Sequence, residues 1–145
     1  MVIANILRSK GNQVVSVRTD DCVASITRTL AQNRIGAVLV VESDGHVLGI
    51  VSERDIVRAV AGAGEAVMRM TAGQLMTRVL HTVTPQSLIT EGLQLMTDRR
   101  VRHLPVLDAH GLLVGMVSIG DLVKARIAEA EQETEELKQY VASAG

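Results

Sequence analysis

Two short segments of the sequence each carry a serine and an aspartate three residues apart. They read GIVSERD at residues 49–55 and GMVSIGD at residues 115–121. Each follows an apolar run and precedes a segment of helical periodicity, where a strand passes into a helix. The free N–H groups at a helix start favour a phosphate. An ionised aspartate one turn later only accepts hydrogen bonds, which suits the two neighbouring hydroxyls of a ribose. The pairs Ser52 with Asp55 and Ser118 with Asp121 therefore predict contacts to a nucleoside phosphate.

The same four residues also match a pattern that needs no ligand. A serine at a helix start with an acidic residue three positions later is close to a capping box. The leading glycines, Gly49 and Gly115, favour the binding interpretation, since glycine lets a ligand approach the backbone and a cap does not require it. The residues alone leave both interpretations open.

The two segments belong to an internal duplication. Residues 34–57 align with residues 100–123 without a gap, and eight of the 24 aligned positions are identical at a step of 66 residues. Further upstream, residues 6–7 match residues 75–76 if about three residues are inserted or deleted. Each unit has about 60 residues, which is small for an independent core, so we expect the two units to pack on each other.

Each unit is expected to fold in the order β-α-β-β-α. In the first, we predict strands at 14–17, 37–41 and 47–51, a turn at Gly45, a helix capped by Asp20 or Asp21, and a helix from Ser52. In the second, we predict strands at 80–83, 103–107 and 112–117, a turn at 110–111, a helix at 87–98 and a helix from Ser118. The fold class is α+β, with two repeats related by a pseudo-twofold axis.

Composition excludes several function classes. Lysine and arginine (15) nearly balance aspartate and glutamate (16), and Tyr140 is the only aromatic residue. Despite the basic cluster at residues 99–103, a nucleic-acid binder is therefore disfavoured, because the net charge is near zero and the chain lacks a set of aromatic side chains to stack on bases. The single cysteine, Cys22, excludes a cysteine-based zinc cluster. A metal held by His103 and His110 is a weaker interpretation than a histidine facing solvent or phosphate, and we expect no metal.

An enzyme is also disfavoured. Ser52 and Ser118 have no histidine at a matching place in both repeats, so neither has the base that nucleophilic catalysis requires.

No apolar run is long enough to span a membrane, and the first ten residues lack the apolar core of a signal peptide. The expected location is cytoplasmic.

Both heptapeptides match the Gly-x-x-Ser/Thr-x-x-Asp pattern of CBS domains, and RHLPVLD at residues 102–108 resembles the β-β-α half of those domains. Two such units in tandem look like a Bateman module, and the resemblance covers about residues 5–125. We accordingly divide the chain into repeat 1 (5–62), a linker (63–72), repeat 2 (73–126) and an acidic helical tail (127–145).

The resemblance implies two clefts that take adenosine-containing ligands, with the aspartate on the ribose and the serine near a phosphate. The base then meets residues of the other repeat. One cleft would be formed by Ile50, Ser52, Asp55, Thr77, Val101, Arg102 and His103. The other would be formed by Met116, Ser118, Asp121, Ile35, Gly36 and Ala37. Arg54 and Arg102 have glycine at the step-related position, so the charged end of the ligand should lie near them.

The resulting prediction is a non-catalytic regulatory module that senses an adenine nucleotide and signals its occupancy, an energy-sensing function, to a regulated partner protein that the sequence does not identify. AMP is the first candidate, and ADP, ATP, NAD(H) and S-adenosylmethionine are further ones. The alternatives are a structural scaffold in which the serines and aspartates are caps only, and a nucleic-acid binder. The resemblance also implies a homodimer formed through the helices. The tail, with a net charge of −4 and a narrow apolar stripe, is either a solvated terminal helix or a weak dimer seam.

Overall fold

The computed structural model describes residues 1–11, 13–78 and 81–144. In chain order, the described helices and strands are α1 (Ile3–Lys10), β1 (Ser16–Val17), α2 (Val23–Asn33), β2 (Ala37–Val41), β3 (Val47–Ser52), α3 (Glu53–Ala63), a 3₁₀ helix (Gly64–Arg69), α4 (Ala72–Leu75), β4 (Thr77–Arg78), α5 (Ile89–Arg99), β5 (His103–Leu107), β6 (Leu113–Ser118) and α6 (Ile119–Ala144). The predicted α+β class and the repeated unit are confirmed.

The strands form two separate sheets, one for each unit. The first sheet has the order β1-β2-β3-β4, in which β1 and β2 are parallel and the other neighbours are antiparallel. The second contains β5 and β6 as an antiparallel pair. Val83 adds a parallel bridge to Val106, at the end of the predicted strand 80–83, whose first residue lies outside the described residues.

The turns between paired strands form where the glycines predicted them. Gly45 and Gly111 both have positive φ values, +89° and +77°, which glycine adopts without steric cost. In contrast, the predicted cap of α2 is wrong. Cys22 is the N-cap residue, and Asp21 instead accepts a hydrogen bond from the backbone N–H of Arg18 at 2.8 Å.

Each unit has its own aliphatic core, and the two cores are built from equivalent positions. Seven buried pairs follow the 66-residue step: Val17 with Val83, Val23 with Ile89, Leu30 with Met96, Val38 with Leu104, Val40 with Val106, Val51 with Val117, and Ile56 with Leu122. The duplication therefore preserves the buried positions of the hydrophobic core.

The two units exchange their leading segments. Helix α1 begins the chain, but its buried residues Ile3 and Ile6 belong to the second core. Conversely, Val67 of the 3₁₀ helix and Ala72 of α4 belong to the first core. The predicted boundaries of the two repeats and the linker divide the chain in sequence order, whereas the exchanged segments pack on the unit that lies further along or further back in the sequence. Those boundaries stay a prediction.

Backbone hydrogen bonds repeat this exchange symmetrically. The N–H of Val23, at the start of α2, donates to the carbonyl of Met70 at 2.8 Å. The N–H of Ile89, at the start of α5, donates to the carbonyl of Met1 at 3.2 Å. Each unit thus caps its first long helix with a carbonyl from a segment that lies outside it in sequence. The exchange is what ties the two halves of the chain together.

Candidate functional site

The first serine–aspartate pair lies where β3 passes into α3. The Ser52 hydroxyl accepts a hydrogen bond from the N–H of Asp55 at 3.2 Å. Oδ2 of Asp55 accepts from the N–H and the hydroxyl of Ser52, each at 2.9 Å. A capping box is therefore present, as the ligand-free interpretation predicts, and it fixes the side chains of both residues.

The other carboxylate oxygen of Asp55 faces the segment that follows α4. The Thr77 hydroxyl donates to Oδ1 of Asp55 at 3.3 Å. This contact follows from the sheet, because β4 pairs with β3 and places Thr77 opposite Ile50. A pure cap requires no such third residue.

A cleft of about 640 Å³ opens in front of Asp55. It is lined by residues from both units. Among them are the seven residues predicted for the first cleft and Arg54, which was predicted to lie near the charged end of the ligand: Ile50, Ser52, Arg54, Asp55, Thr77, Val101, Arg102 and His103. The structure therefore brings together side chains that lie up to 53 positions apart, from 50 to 103.

Three further residues line this cleft and were missed from the sequence: Glu53, Arg58 and Arg100. Arg58 lies one helical turn beyond Arg54 on α3, so helical spacing could have revealed it. Arg100 ends α5 in the left-handed region at φ 54°, as Arg34 ends α2 at φ 53°. Arg34 and Arg100 are identical in the aligned repeats, and this identity could have marked Arg100 as a candidate site residue.

The second cleft stays a prediction, and three of the residues predicted for it can be placed in the structure. Gly36 also lines the first cleft. The carbonyl of Gly36 accepts from the N–H of Glu53 at 2.9 Å, which holds the start of β2 beside the start of α3 in its own unit. Ile35 is partly buried against the first core, and Ala37 is only 1% exposed.

A smaller cleft of about 240 Å³ continues from the first. The two share the side chains Ile50, Thr77, Val101 and His103. The smaller one adds Pro105 and the basic side chains Arg78, His81 and Arg99. Together they form an elongated space with an apolar centre and basic residues on its walls.

The second serine–aspartate pair, between β6 and α6, is capped in the same way. Asp121 Oδ2 accepts from the N–H of Ser118 at 2.8 Å, and the Ser118 hydroxyl accepts from the N–H of Asp121 at 3.1 Å. Here a third residue is a cation, since Lys10 Nζ lies 2.7 Å from Asp121 Oδ2. Lys10 also donates to the carbonyl of Met116 at 2.9 Å. Burial raises the pKa of Asp121, but the hydrogen bonds from Lys10 and Ser118 outweigh it and hold that pKa below its usual value.

The leading glycines of the two motifs have a structural purpose that the sequence interpretation did not foresee. A Cβ on Gly49 would lie 2.7 Å from Met76 Sδ and 2.7 Å from the Thr77 carbonyl oxygen. A Cβ on Gly115 would lie 2.7 Å from Leu7 Cδ2. The absence of a side chain at these two positions makes room for the exchanged segments. This packing explains the glycines without a ligand.

His103, at the start of β5, lies between the two pairs. Burial lowers the pKa of His103, and the Lys10 and Arg102 cations lower it further, whereas Asp121 and Glu53 act in the opposite direction. The net result is a pKa below the usual 6.5, so the folded protein favours the neutral imidazole.

We therefore expect His103 to make stability depend on pH. The unfolded chain takes up this proton near pH 6.5 and the folded chain only at lower pH, so stability should fall as pH decreases below about 6.5. His103→Gln should flatten this loss in urea unfolding between pH 7.5 and 5. The matched control is His110→Gln, in the exposed turn after β5. Equal pH profiles for the two variants would contradict the assignment.

Two sets of candidate metal ligands can be located among the described residues. His103 begins β5 and His110 lies beyond its other end, so they do not form a common site. Glu42, Asp44 and His46 lie close together in the turn between β2 and β3, but all three are exposed. The described residues also contain no helix both long and apolar enough to cross a bilayer.

Comparison with known proteins agrees with this architecture. The family model for the CBS domain matches residues 6–62 and 72–128, so this chain belongs to the CBS-domain family and carries two such domains in tandem. It is 35% identical over 147 residues to the mitochondrial CBS domain-containing protein CBSX3 of Arabidopsis thaliana, covering 96% of this chain and 71% of that protein.

Solved structures show the same fold. The CBS-domain protein ATU1752 from Agrobacterium tumefaciens superposes with a TM-score of 0.83 at 40% identity, covering 87% of this chain and 99% of that chain. The CBS domain protein PAE2072 from Pyrobaculum aerophilum, solved in complex with AMP, has a TM-score of 0.79 at 27% identity, covering 92% and 99%. The predicted resemblance to a CBS-domain pair is confirmed.

Proposed function

We propose that this chain is a non-catalytic regulatory module that binds an adenine nucleotide in the cleft in front of Asp55 and signals its occupancy to a partner protein. The observation that carries the proposal is the composition of that cleft. An aspartate held by Ser52 and Thr77 faces basic side chains of the other unit across one continuous space.

The charges of the cleft suit a ligand that combines a sugar with phosphate. Arg54 and Arg58 come from α3, whereas Arg100 and Arg102 come from the start of the β5 segment. Four arginines against the carboxylates of Glu53 and Asp55 leave a net positive wall. Arginine binds phosphate through two parallel hydrogen bonds, so it is the expected residue type for this purpose.

This placement also provides a route for the signal. A phosphate between α3 and the residues before β5 would contact both units at once, and so would favour the arrangement that brings the arginines together. A ligand shifts such an equilibrium only by its difference in affinity for the two arrangements. The partner would recognise a surface that differs between them.

AMP is the first candidate ligand, and the AMP complex of PAE2072 supports it by similarity of fold and sequence. We propose ATP, ADP, NAD(H) and S-adenosylmethionine as further candidate ligands. The smaller adjoining cleft, with Arg78, His81 and Arg99, offers space and positive charge for a ligand longer than a monophosphate.

A thermal-unfolding panel tests this proposal. At 100 times its Kd, a nucleotide should stabilise the fold by about 2.7 kcal/mol, which is a rise of several degrees in the unfolding midpoint. The panel contains AMP, ADP, ATP, NADH, S-adenosylmethionine and a short RNA, with inorganic phosphate as the control for simple anion binding. A shift with RNA alone would favour the nucleic-acid alternative, and hydrolysis of ATP above a blank would contradict the non-catalytic assignment.

The scaffold alternative has one observation in its favour, namely that both motifs form helix caps. If capping were their whole role, no nucleotide would shift the unfolding midpoint. The contact from Thr77 and the arginines opposite Asp55 support binding over this alternative, because a cap requires neither.

We also propose a homodimer, formed through α3 and α6. Val57 and Val123 occupy equivalent positions at the 66-residue step and are 67% and 43% exposed. Ile119 and Ile127 extend the exposed apolar surface of α6. Sedimentation equilibrium measures the assembly directly.

We place the protein in the cytoplasm, where a chain with one unpaired cysteine is typical, and cell fractionation tests that location.

A further inference from the structure

The two serine–aspartate pairs differ in what contacts the aspartate. Oδ1 of Asp55 accepts only from the neutral hydroxyl of Thr77, and no cation within the described part of the chain lies within 4.0 Å of this carboxylate. Asp121 has the Lys10 ammonium at 2.7 Å. The carboxylate that would accept hydrogen bonds from a ribose in the second pair is thus already neutralised by the protein itself.

Lys10 is held in this position by the exchange of segments. Leu7 packs directly over Gly115, at the start of the second motif. Lys10 is three residues later, on the same face of α1, and so lies over the next residue of β6. Its Nζ donates to the carbonyl of Met116 at 2.9 Å as well as to Asp121. Two acceptors from β6 and α6 therefore fix one ammonium group.

The side chains remain partly open to solvent, 40% exposed for Lys10 and 25% for Asp121. For binding, the contact matters through the space and the acceptors that it occupies. A ligand that used Asp121 Oδ2 and the Met116 carbonyl would have to displace the Lys10 ammonium, which already bonds to both. At Asp55 the third residue is the neutral hydroxyl of Thr77, which can turn to make room for a hydroxyl of the ligand.

We infer that Lys10 is a built-in occupant of the second nucleotide position, so that each chain binds one nucleotide, at Asp55. This inference rests on the proposed function and adds a regulatory residue to it. Lys10 determines the number of ligands per chain, and it does so from a helix that belongs to the other repeat in sequence. Any modification that removes the positive charge of Lys10 would open the second position.

Isothermal titration with AMP, repeated with ATP, tests the inference. The wild-type chain should bind one nucleotide, and Asp55→Asn should weaken this binding by about ten- to a hundredfold. Lys10→Met should bind two nucleotides, and the double variant Lys10→Met/Asp121→Asn should again bind one. Lys124→Met, on the same helix as Asp121, is the control and should bind one.

The outcomes separate this inference from the proposed function. The role of Lys10 would be overturned if the wild-type chain bound two nucleotides. It would also be overturned if the Lys10→Met chain bound only one nucleotide and adding Asp55→Asn weakened that binding. Both outcomes would leave the proposed function standing. No binding to the wild type but one nucleotide per Lys10→Met chain, lost with Asp121→Asn, would support Lys10 and contradict the site at Asp55. No binding to any variant would overturn both.

If Lys10→Met fails to fold by circular dichroism, Lys10→Gln replaces it, since the amide can still donate to the Met116 carbonyl without carrying a charge.

Discussion

Replacing Asp55 with asparagine should weaken nucleotide binding by about ten- to a hundredfold while the fold is retained. A hydrogen bond to a charged group contributes about 1.5–3 kcal/mol, and 1.4 kcal/mol corresponds to a factor of ten in affinity. Asparagine keeps an oxygen that can accept from the Ser52 N–H, so the start of α3 stays capped. What is lost is the negative charge and the acceptor that a ribose hydroxyl would use. Titration calorimetry measures the affinity, and thermal unfolding without ligand measures the fold.

The control for Asp55→Asn is Asp98→Asn. Asp98 lies on α5, where it accepts a hydrogen bond from Gln94 at 2.8 Å and is exposed. This variant should bind as the wild type does. If Asp55→Asn also binds normally, the ligand does not contact Asp55, and if it lowers the unfolding midpoint by more than about 5 °C without ligand, capping is the main role of Asp55.

Alanine in place of Gly49 should destabilise the protein by about 1–3 kcal/mol, the range that overpacking typically costs. The added Cβ would lie 2.7 Å from the backbone oxygen of Thr77, and a backbone atom in a paired strand cannot move aside easily. The clash should also move Thr77 away from Asp55, so nucleotide affinity is expected to fall with stability. Urea unfolding and calorimetry measure the two effects.

Two glycine variants serve as controls for Gly49→Ala. In Gly115→Ala the nearest atom is the Cδ2 of Leu7, at the end of a flexible side chain, so the loss of stability should be smaller. In Gly62→Ala, on α3, the added Cβ meets nothing within 4 Å and should stabilise the helix slightly. A Gly49→Ala protein as stable as the Gly62→Ala protein would contradict the close packing of β4 on β3.

Elements with strong local signals were predictable from the sequence. The strands 37–41 and 103–107 have the predicted bounds, because a short apolar run between polar residues leaves little freedom for a buried strand. The turns at Gly45 and Gly111 form for an equally local reason, since each requires a positive φ. Eight of the twelve residues that line the first cleft were predictable, because the repeated motif resembles a known family.

The remaining features depend on contacts between distant parts of the chain, which no local pattern encodes. Asp21 is a good capping residue, but the carbonyl of Met70 reaches the start of α2 instead. Lys10 looks like an ordinary basic residue in the last turn of a helix, and its partner is 111 positions away. Gly36 was predicted for the second cleft, and it lines the first one as well, because the start of β2 lies near His103 of the other unit.

The exchange of leading segments bears on the origin of the chain. A protein with only one unit would place its first helix outward, and its sheet would lack the covering that Gly49 or Gly115 accommodates. Two such proteins could complete each other by trading those helices, as in a domain-swapped pair. Joining the two units in one chain makes this trade internal and independent of protein concentration.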